Sequence, residues 1–198
     1  MNVPLISIVP ARIEDRATTL ATLVAAFAHD PAARTLYPED DAYAAHFPGL
    51  AESLACRAFD EGLVDSYPAG LGAALWLPPG TALDAPRIQA HLAATLPAHR
   101  LGALAAGFAA QHALRPQAPH WYLPWIGVRP DVQGAGIGAT LLRQGLARAD
   151  ADRMPAYVEA TCRRNAALFA RHGFRPAGMV LAPGYPQVTT MWRPARRI

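Results

Sequence analysis

Gly134, Gly136 and Gly138 stand at alternate positions in Gln133-Gly-Ala-Gly-Ile-Gly-Ala139, between an apolar run and an apolar helix pattern. Glycine at that spacing leaves backbone amides uncovered by side chains. At the start of a helix the first N–H groups have no partner within the helix, and the aligned peptide dipoles add about half a positive charge. A diphosphate or similar anion is the natural ligand of such a turn. Two further residue types that carry chemistry flank it. Glu159 interrupts the apolar run Tyr157-Val-Glu-Ala160, where a carboxylate must find water, a donor or a task. His120 opens the run before the glycines, and histidine is the side chain whose charge changes nearest neutral pH.

The elements around the turn follow from pattern. Trp121 to Val128 is apolar and rich in β-branched and aromatic residues, and Pro130 cannot donate to a sheet ladder, so a strand should end near Arg129. From Gly136 onward Ile137, Leu141, Leu142, Leu146 and Ala149 recur at three- and four-residue spacing, which predicts a helix. Val158 to Thr161 reads as a short strand, followed by a helix carrying Asn165 and ending at Gly173-Phe174. Strands and helices alternate through the second half, which implies a mixed sheet with helices on its faces.

The first half is less regular. Leu5 to Val9 predicts a strand, and Leu20, Leu23, Val24 and Phe27 a helix that Asp30-Pro31 should end. A helix starting at Asp40 or Asp41 is expected to break near Pro48-Gly49. Val64–Tyr67 and Ala73–Leu77 form a hairpin pattern, and two helices split at Pro97 precede the glycine-turn strand.

Composition narrows the class. The 198 residues suit one domain, 1–198, and a hydrophobic fraction of 52% with a net charge of +3 describes a globular chain. All 18 basic residues are arginine, scattered except for Arg163-Arg164 and the tail, so a small anion is favoured over a nucleic-acid backbone. Cys56 and Cys162 have no metal or disulfide spacing around them, which points to the cytoplasm. No run of about 18 to 20 apolar residues is present and Met1-Asn-Val-Pro lacks a basic leader, so a soluble, unexported protein without membrane contact is expected. Oligomeric state, monomer or homodimer, stays open.

From His120 to Arg193 the chain resembles the GCN5-related N-acetyltransferases. The resemblance rests on Gln133-x-x-Gly136-x-Gly138, on the Asn165-Ala-Ala-Leu-Phe-Ala-Arg-His-Gly-Phe174 helix, on His120-Trp-Tyr-Leu123 and on Thr190-Met-Trp-Arg193. It implies an α/β (α+β) acyl-CoA N-acyltransferase fold: a mixed, mostly antiparallel sheet flanked by helices, here with a helical insert before the fourth strand. It also implies acetyl-coenzyme A as co-substrate and a small-molecule or peptide amine as acceptor. The diphosphate would lie on Gln133, Gly134, Ala135, Gly136, Ile137, Gly138 and Ala139. The pantetheine arm would pair with the backbone of Ile126 and Val128, beside Asn165 and Phe169, with the Val128 N–H facing the thioester oxygen.

Each of these residues also has an ordinary structural reading. The glycines serve any strand-to-helix turn; Asn165 near a helix start can cap it; Glu159 can be a strand-edge residue bonded to an arginine. As the base that takes the amine proton, Glu159 and His120 are the candidates, though a lone histidine after Pro119 is more often a surface residue. The resemblance implies that the loop after the first helix and the facing strands shape the acceptor pocket, which would put Phe27, Asp30, Tyr37 and Trp76 near it, while each of the four reads by itself as core or loop packing. Phe169 departs from the family, where a tyrosine is common at this position to protonate the leaving thiolate. That substitution leaves open a non-catalytic acyl-CoA-binding module. A third reading, a nicotinamide-dependent oxidoreductase, comes from Gly134-x-Gly136-x-x-Ala139 with Glu159 about 20 residues beyond. It is disfavoured because only about 60 residues follow, too few for the further βαβ units that fold needs.

Overall fold

The computed structural model describes residues 8–61 and 63–196. One seven-stranded sheet runs through the molecule in the order β1-β2-β3-β4-β5-β7-β6. Its strands are β1 (Val9–Pro10), β2 (Val64–Tyr67), β3 (Gly72–Leu77), β4 (Trp121–Val128), β5 (Ala156–Ala160), β6 (Arg175–Val180) and β7 (Val188–Arg193). Every neighbouring pair is antiparallel except β4 with β5. The expected mixed, mostly antiparallel sheet is thus present, and it is not the doubly wound parallel sheet of a nicotinamide-binding domain.

Helices cover both faces. On one side, α6 (Ile137–Ala151) and α7 (Arg163–Arg171) pack Leu141, Leu142, Leu146 and Phe169 against Trp121, Leu123 and Val158. On the other, α1 (Arg16–Ala26) and α3 (Asp40–Asp60) set Leu23, Ala55 and Phe59 against Leu75, Tyr122 and Tyr157. Close approach of α6 to the sheet depends on Gly145, because a Cβ there would overlap the indole of the fully buried Trp76. A third apolar cluster joins α2 (Pro31–Leu36) and α3 to the insert helices α4 (Ala85–Thr95) and α5 (Ala98–Ala113). Among the described residues no helix is long and apolar enough to cross a membrane, and no cluster of potential metal ligands occurs.

Several expectations of the first half need correction. The first strand is only Val9–Pro10, and Leu5 to Ser7 of the anticipated run lie outside the described residues. α1 stops at Ala26, and Asp30-Pro31 starts a helix rather than ending one. Asp30 Oδ1 accepts from the amides of Ala32 (2.9 Å) and Ala33 (3.3 Å), with Pro31 at the first helical position, where its missing N–H costs nothing. Pro48 does not break α3, which is continuous from Asp40 to Asp60. Pro48-Gly49 instead forms a notch into which α4 docks: the His91 ring occupies the space a Cβ at Gly49 would need, and its Nε2 donates to the His46 carbonyl at 2.9 Å.

Candidate active site

The decisive local feature is a bulge in β4. Leu75 pairs with Trp125 and Leu77 with Tyr122, so two residues of β3 span three of β4, with Pro124 in the irregular step. Proline cannot donate to a ladder, and an extra residue reverses the side-chain alternation beyond it. Tyr122 and Trp125 consequently project to the same face of the sheet, the one covered by α1 and α3.

At the same place β4 leaves β5. The parallel pairing runs only through Trp121–Ala156, Tyr122–Tyr157 and Leu123–Val158. Beyond Leu123 the strands diverge into a V. The Arg129 N–H donates to Leu71 on the β3 side, and neighbouring residues of a strand alternate, so Ile126 and Val128 direct their backbone groups into the V. The Val128 carbonyl accepts from Gln133 Nε2 at 3.0 Å, and the Val128 N–H faces the gap.

The wide end of the V meets the glycine turn. Gly134 (φ 87°) and Gly136 (φ 84°) have left-handed backbones, and a Cβ on either would meet no atom within 4 Å. Gly136 is the N-cap of α6 and offers no capping side chain, leaving the amides of Ile137, Gly138 and Ala139 without intrahelical acceptors. Gly138 is helical, and its modest role is to keep that mouth open beside Val128 and Leu168. Arg164 Nη1 donates to Gln133 Oε1 at 2.6 Å, tying α7 to the turn. Among the described residues neither Arg143 nor Arg164 has a carboxylate at ion-pair distance, so the turn carries uncompensated positive charge.

Behind the V opens a cavity of about 830 Å³. It gathers Ile126, Glu159, Asn165 and Phe169 among the residues singled out from sequence, with Phe27 and Asp30 on its far wall. Tyr37 and Trp76 are not part of it: Tyr37 is buried under α2 with its hydroxyl 2.8 Å from Thr95 Oγ1, and Trp76 lies beneath α6 on the opposite face. Asn165 is the third residue of α7, whose N-cap is Cys162; it donates to Thr161 Oγ1 at 3.4 Å, and Thr161 in turn donates to Asp30 Oδ2 at 2.5 Å. His120 is placed elsewhere. It precedes the closed end of the V, lines no part of the cavity, donates from Nδ1 to the Ala118 carbonyl at 2.7 Å and packs edge-on against Tyr157 and Trp192.

Glu159 is the centre of a compact polar cluster. Oε2 accepts from Tyr122 at 2.6 Å, Oε1 accepts from Tyr157 at 2.9 Å, and Arg115 Nη2 approaches Oε1 at 3.5 Å while its guanidinium lies 4.4 Å from the Tyr122 ring centre. The carboxylate is therefore both arginine-bonded and turned to the cavity. Burial, then the Glu159 charge, pushes the phenols of Tyr122 and Tyr157 upward, and the same two causes act on Tyr185 at the cavity rim. Burial pulls the Arg115 guanidinium down, but Tyr122, Glu159 and Tyr157 together outweigh it and leave its value raised.

These shifts set an alkaline limit. A phenol with a raised folded-state value holds its proton more tightly in the native protein than in the unfolded chain. Its contribution to stability is intact below the ordinary value of 10.0 and is lost as pH climbs above it. Unfolding should accordingly set in above about pH 10 together with cooperative appearance of tyrosinate absorbance; gradual, independent ionisation of all tyrosines in a folded chain would contradict the cluster.

Sequence reasoning missed Arg115, Tyr122 and the bulge. Pro124 inside a strand was the available signal for the bulge. For Arg115 there was none, because its partner lies 44 positions away.

Comparison with known proteins gives a family likeness over the second half of the chain. Residues 91–176 match the model of the acetyltransferase (GNAT) domain. A structure from Corynebacterium glutamicum described as histone acetyltransferase HPA2 and related acetyltransferase is similar over 97% of both chains, at 27% identity and a TM-score of 0.72. Residues 91–176 are thus similar to a GNAT acetyltransferase domain, and the chain has the fold of GNAT acetyltransferases. The GNAT fold is shared with arylalkylamine N-acetyltransferase 2 from Aedes aegypti (13% identity, 96% and 99% of the two chains, TM-score 0.67). It is also shared with the polyamine N-acetyltransferase of Drosophila melanogaster (15%, 94% and 98%, 0.59). The β4 side of the bulge, the V and the glycine turn fall within the matched segment, as does the Glu159 cluster from Arg115 onward.

Proposed function

We propose that the protein binds acetyl-coenzyme A in the V and passes its acetyl group directly to a primary amine. The observation that carries this reading is the pairing of a half-open β4–β5 seam with an uncapped helix mouth at its wide end. Amides of Ile137, Gly138 and Ala139 would take the diphosphate, helped by Arg164, and the backbone of Ile126 and Val128 would bond the pantetheine arm. The amine nitrogen attacks the thioester carbon, the oxyanion forms against the Val128 N–H, and the C–S bond breaks to release thiolate. A single such donor is worth about 3 to 4 kcal/mol of barrier in other acyl-transfer enzymes.

Glu159 is the base in this scheme. It lines the cavity, whereas His120 does not. Phe169 is buried against Phe174 and has no proton to give; an alkyl thiol with a value of about 8.5 can leave as thiolate near neutral pH. No acyl-enzyme is expected, since Cys56 is buried on the Ser53 carbonyl and neither cysteine hydrogen-bonds to a base among the described residues. That relatives of this fold are described as acting on arylalkylamines and polyamines supports an amine acceptor.

The test pairs calorimetry of acetyl-coenzyme A with thiol release over an amine panel. Binding with turnover is expected. Binding without release of thiol on any amine would favour the acyl-CoA-binding module that Phe169 left open, and no binding would remove the reading altogether.

A further inference from the structure

We infer that the acceptor is a monoamine carried on a bulky apolar body, aryl or long-chain alkyl, seated in a vault that the insert helices build over the V. The inference rests on the acetyl-transfer reading and names the substrate class of that site. The V itself accounts for only the β4, β5 and α7 part of the cavity wall. Most of the remainder lies between α2 and α3 on one side and α4 and α5 on the other.

The vault is built from apolar surface. Its back wall is an aromatic stack: Trp125, re-aimed by the bulge, lies 4.8 Å from Phe27 and 5.7 Å from Phe47 at interplanar angles of 14° and 13°. Leu92, Leu104 and Phe108 line it from the insert. Phe108 remains 38% exposed, a large apolar side chain left facing space that a ligand can fill.

The charges are already committed. Among the described lining residues the carboxylates are Asp30 and Glu159. Asp30 accepts from two α2 amides and from Thr161, and Glu159 from two phenols beside Arg115. A second ammonium, or a guanidinium, would enter without a free counter-charge and would forfeit its hydration. A single amine at the V next to Glu159, with an apolar body in the vault, meets no such penalty. Desolvation there also favours its uncharged form, the one that attacks.

The experiment measures kcat/KM with acetyl-coenzyme A for propylamine, butylamine, hexylamine, octylamine, 2-phenylethylamine, spermidine, agmatine and a lysine-bearing peptide. Specificity should rise about fourfold for each added methylene, 2-phenylethylamine should exceed propylamine, and the polycations and peptide should trail. A flat alkyl series, or spermidine, agmatine or the peptide as best substrate, overturns the vault assignment while acetyl transfer stands. Thiol release on no amine despite cofactor binding overturns acetyl transfer, and the inference falls with it. Ala105 lines the vault from α5 with its side chain exposed to that space. Ala105→Trp should lower the octylamine-to-propylamine ratio at least about tenfold by occupying room that roughly two methylenes or more would use; an unchanged ratio in the folded variant places the acceptor elsewhere and overturns the inference.

Discussion

Gly138→Asp should leave the protein folded and as stable as before while weakening acetyl-coenzyme A by about 100-fold or more, the equivalent of roughly 2.7 kcal/mol. Gly138 is the second residue of α6 and its backbone is helical, so a side chain there requires no change of conformation. A Cβ at this position meets Leu168 and Val128 at 3.6 Å, ordinary contact distances. An aspartate in the first helical turn also complements the macrodipole, worth about 0.3 to 1 kcal/mol in favour of the helix. The same charge stands where the diphosphate is proposed to lie. Stability and binding must therefore move apart, which a merely structural role for the turn would not produce. Gly136→Asp is a poorer probe, because φ 84° adds about 1 to 2 kcal/mol of backbone strain to the same electrostatic effect. Calorimetry and thermal unfolding on the two variants check the difference; retained binding by Gly138→Asp would remove the helix mouth as the anion site.

Glu159→Gln is expected to lower kcat by about 10² to 10⁴-fold, the range of general acid–base effects, with little change in affinity for acetyl-coenzyme A. Glutamine retains an oxygen for one phenol and nearly the same volume, so the cavity keeps its shape. What disappears is the negative charge that faces Arg115 and is proposed to take the amine proton. The pH profile separates this from structural loss. With the base removed, activity should depend on the fraction of free amine in solution and climb across the whole accessible range. An unchanged profile would show that Glu159 only anchors Arg115 and the two tyrosines. His120→Asn provides the contrast, since its ring lies outside the cavity.

Legibility in the sequence followed the range of the interactions. The glycine turn, α6, the β2–β3 hairpin and both insert helices were readable because periodicity and turn chemistry are local. The Asp30-Pro31 pair was misread because it is consistent with either end of a helix, and only the cap bonds to Ala32 and Ala33 decide between them. Pro48 looked like a break, yet packing of both flanks of α3 against the sheet and α4 outweighs one missing backbone bond. Trp76 was expected near the acceptor, but alternation along β3 turns it to the α6 face, where Gly145 makes room. The candidate site was legible along β4, the turn and β5. Its insert side was not, because Arg115 reaches Glu159, and Trp125 reaches Phe47, only through the fold.

The three-pair seam between β4 and β5 has a mechanical meaning. It divides one continuous sheet into two plates, β1–β4 and β5–β7, stitched at one end only. A thioester arm bound in the V as proposed would complete that stitching from outside the polypeptide, so the substrate would serve for a moment as part of the scaffold. On that proposal, departure of the spent carrier would unpick those bonds, and each turnover would include a small partial opening of the protein's own framework.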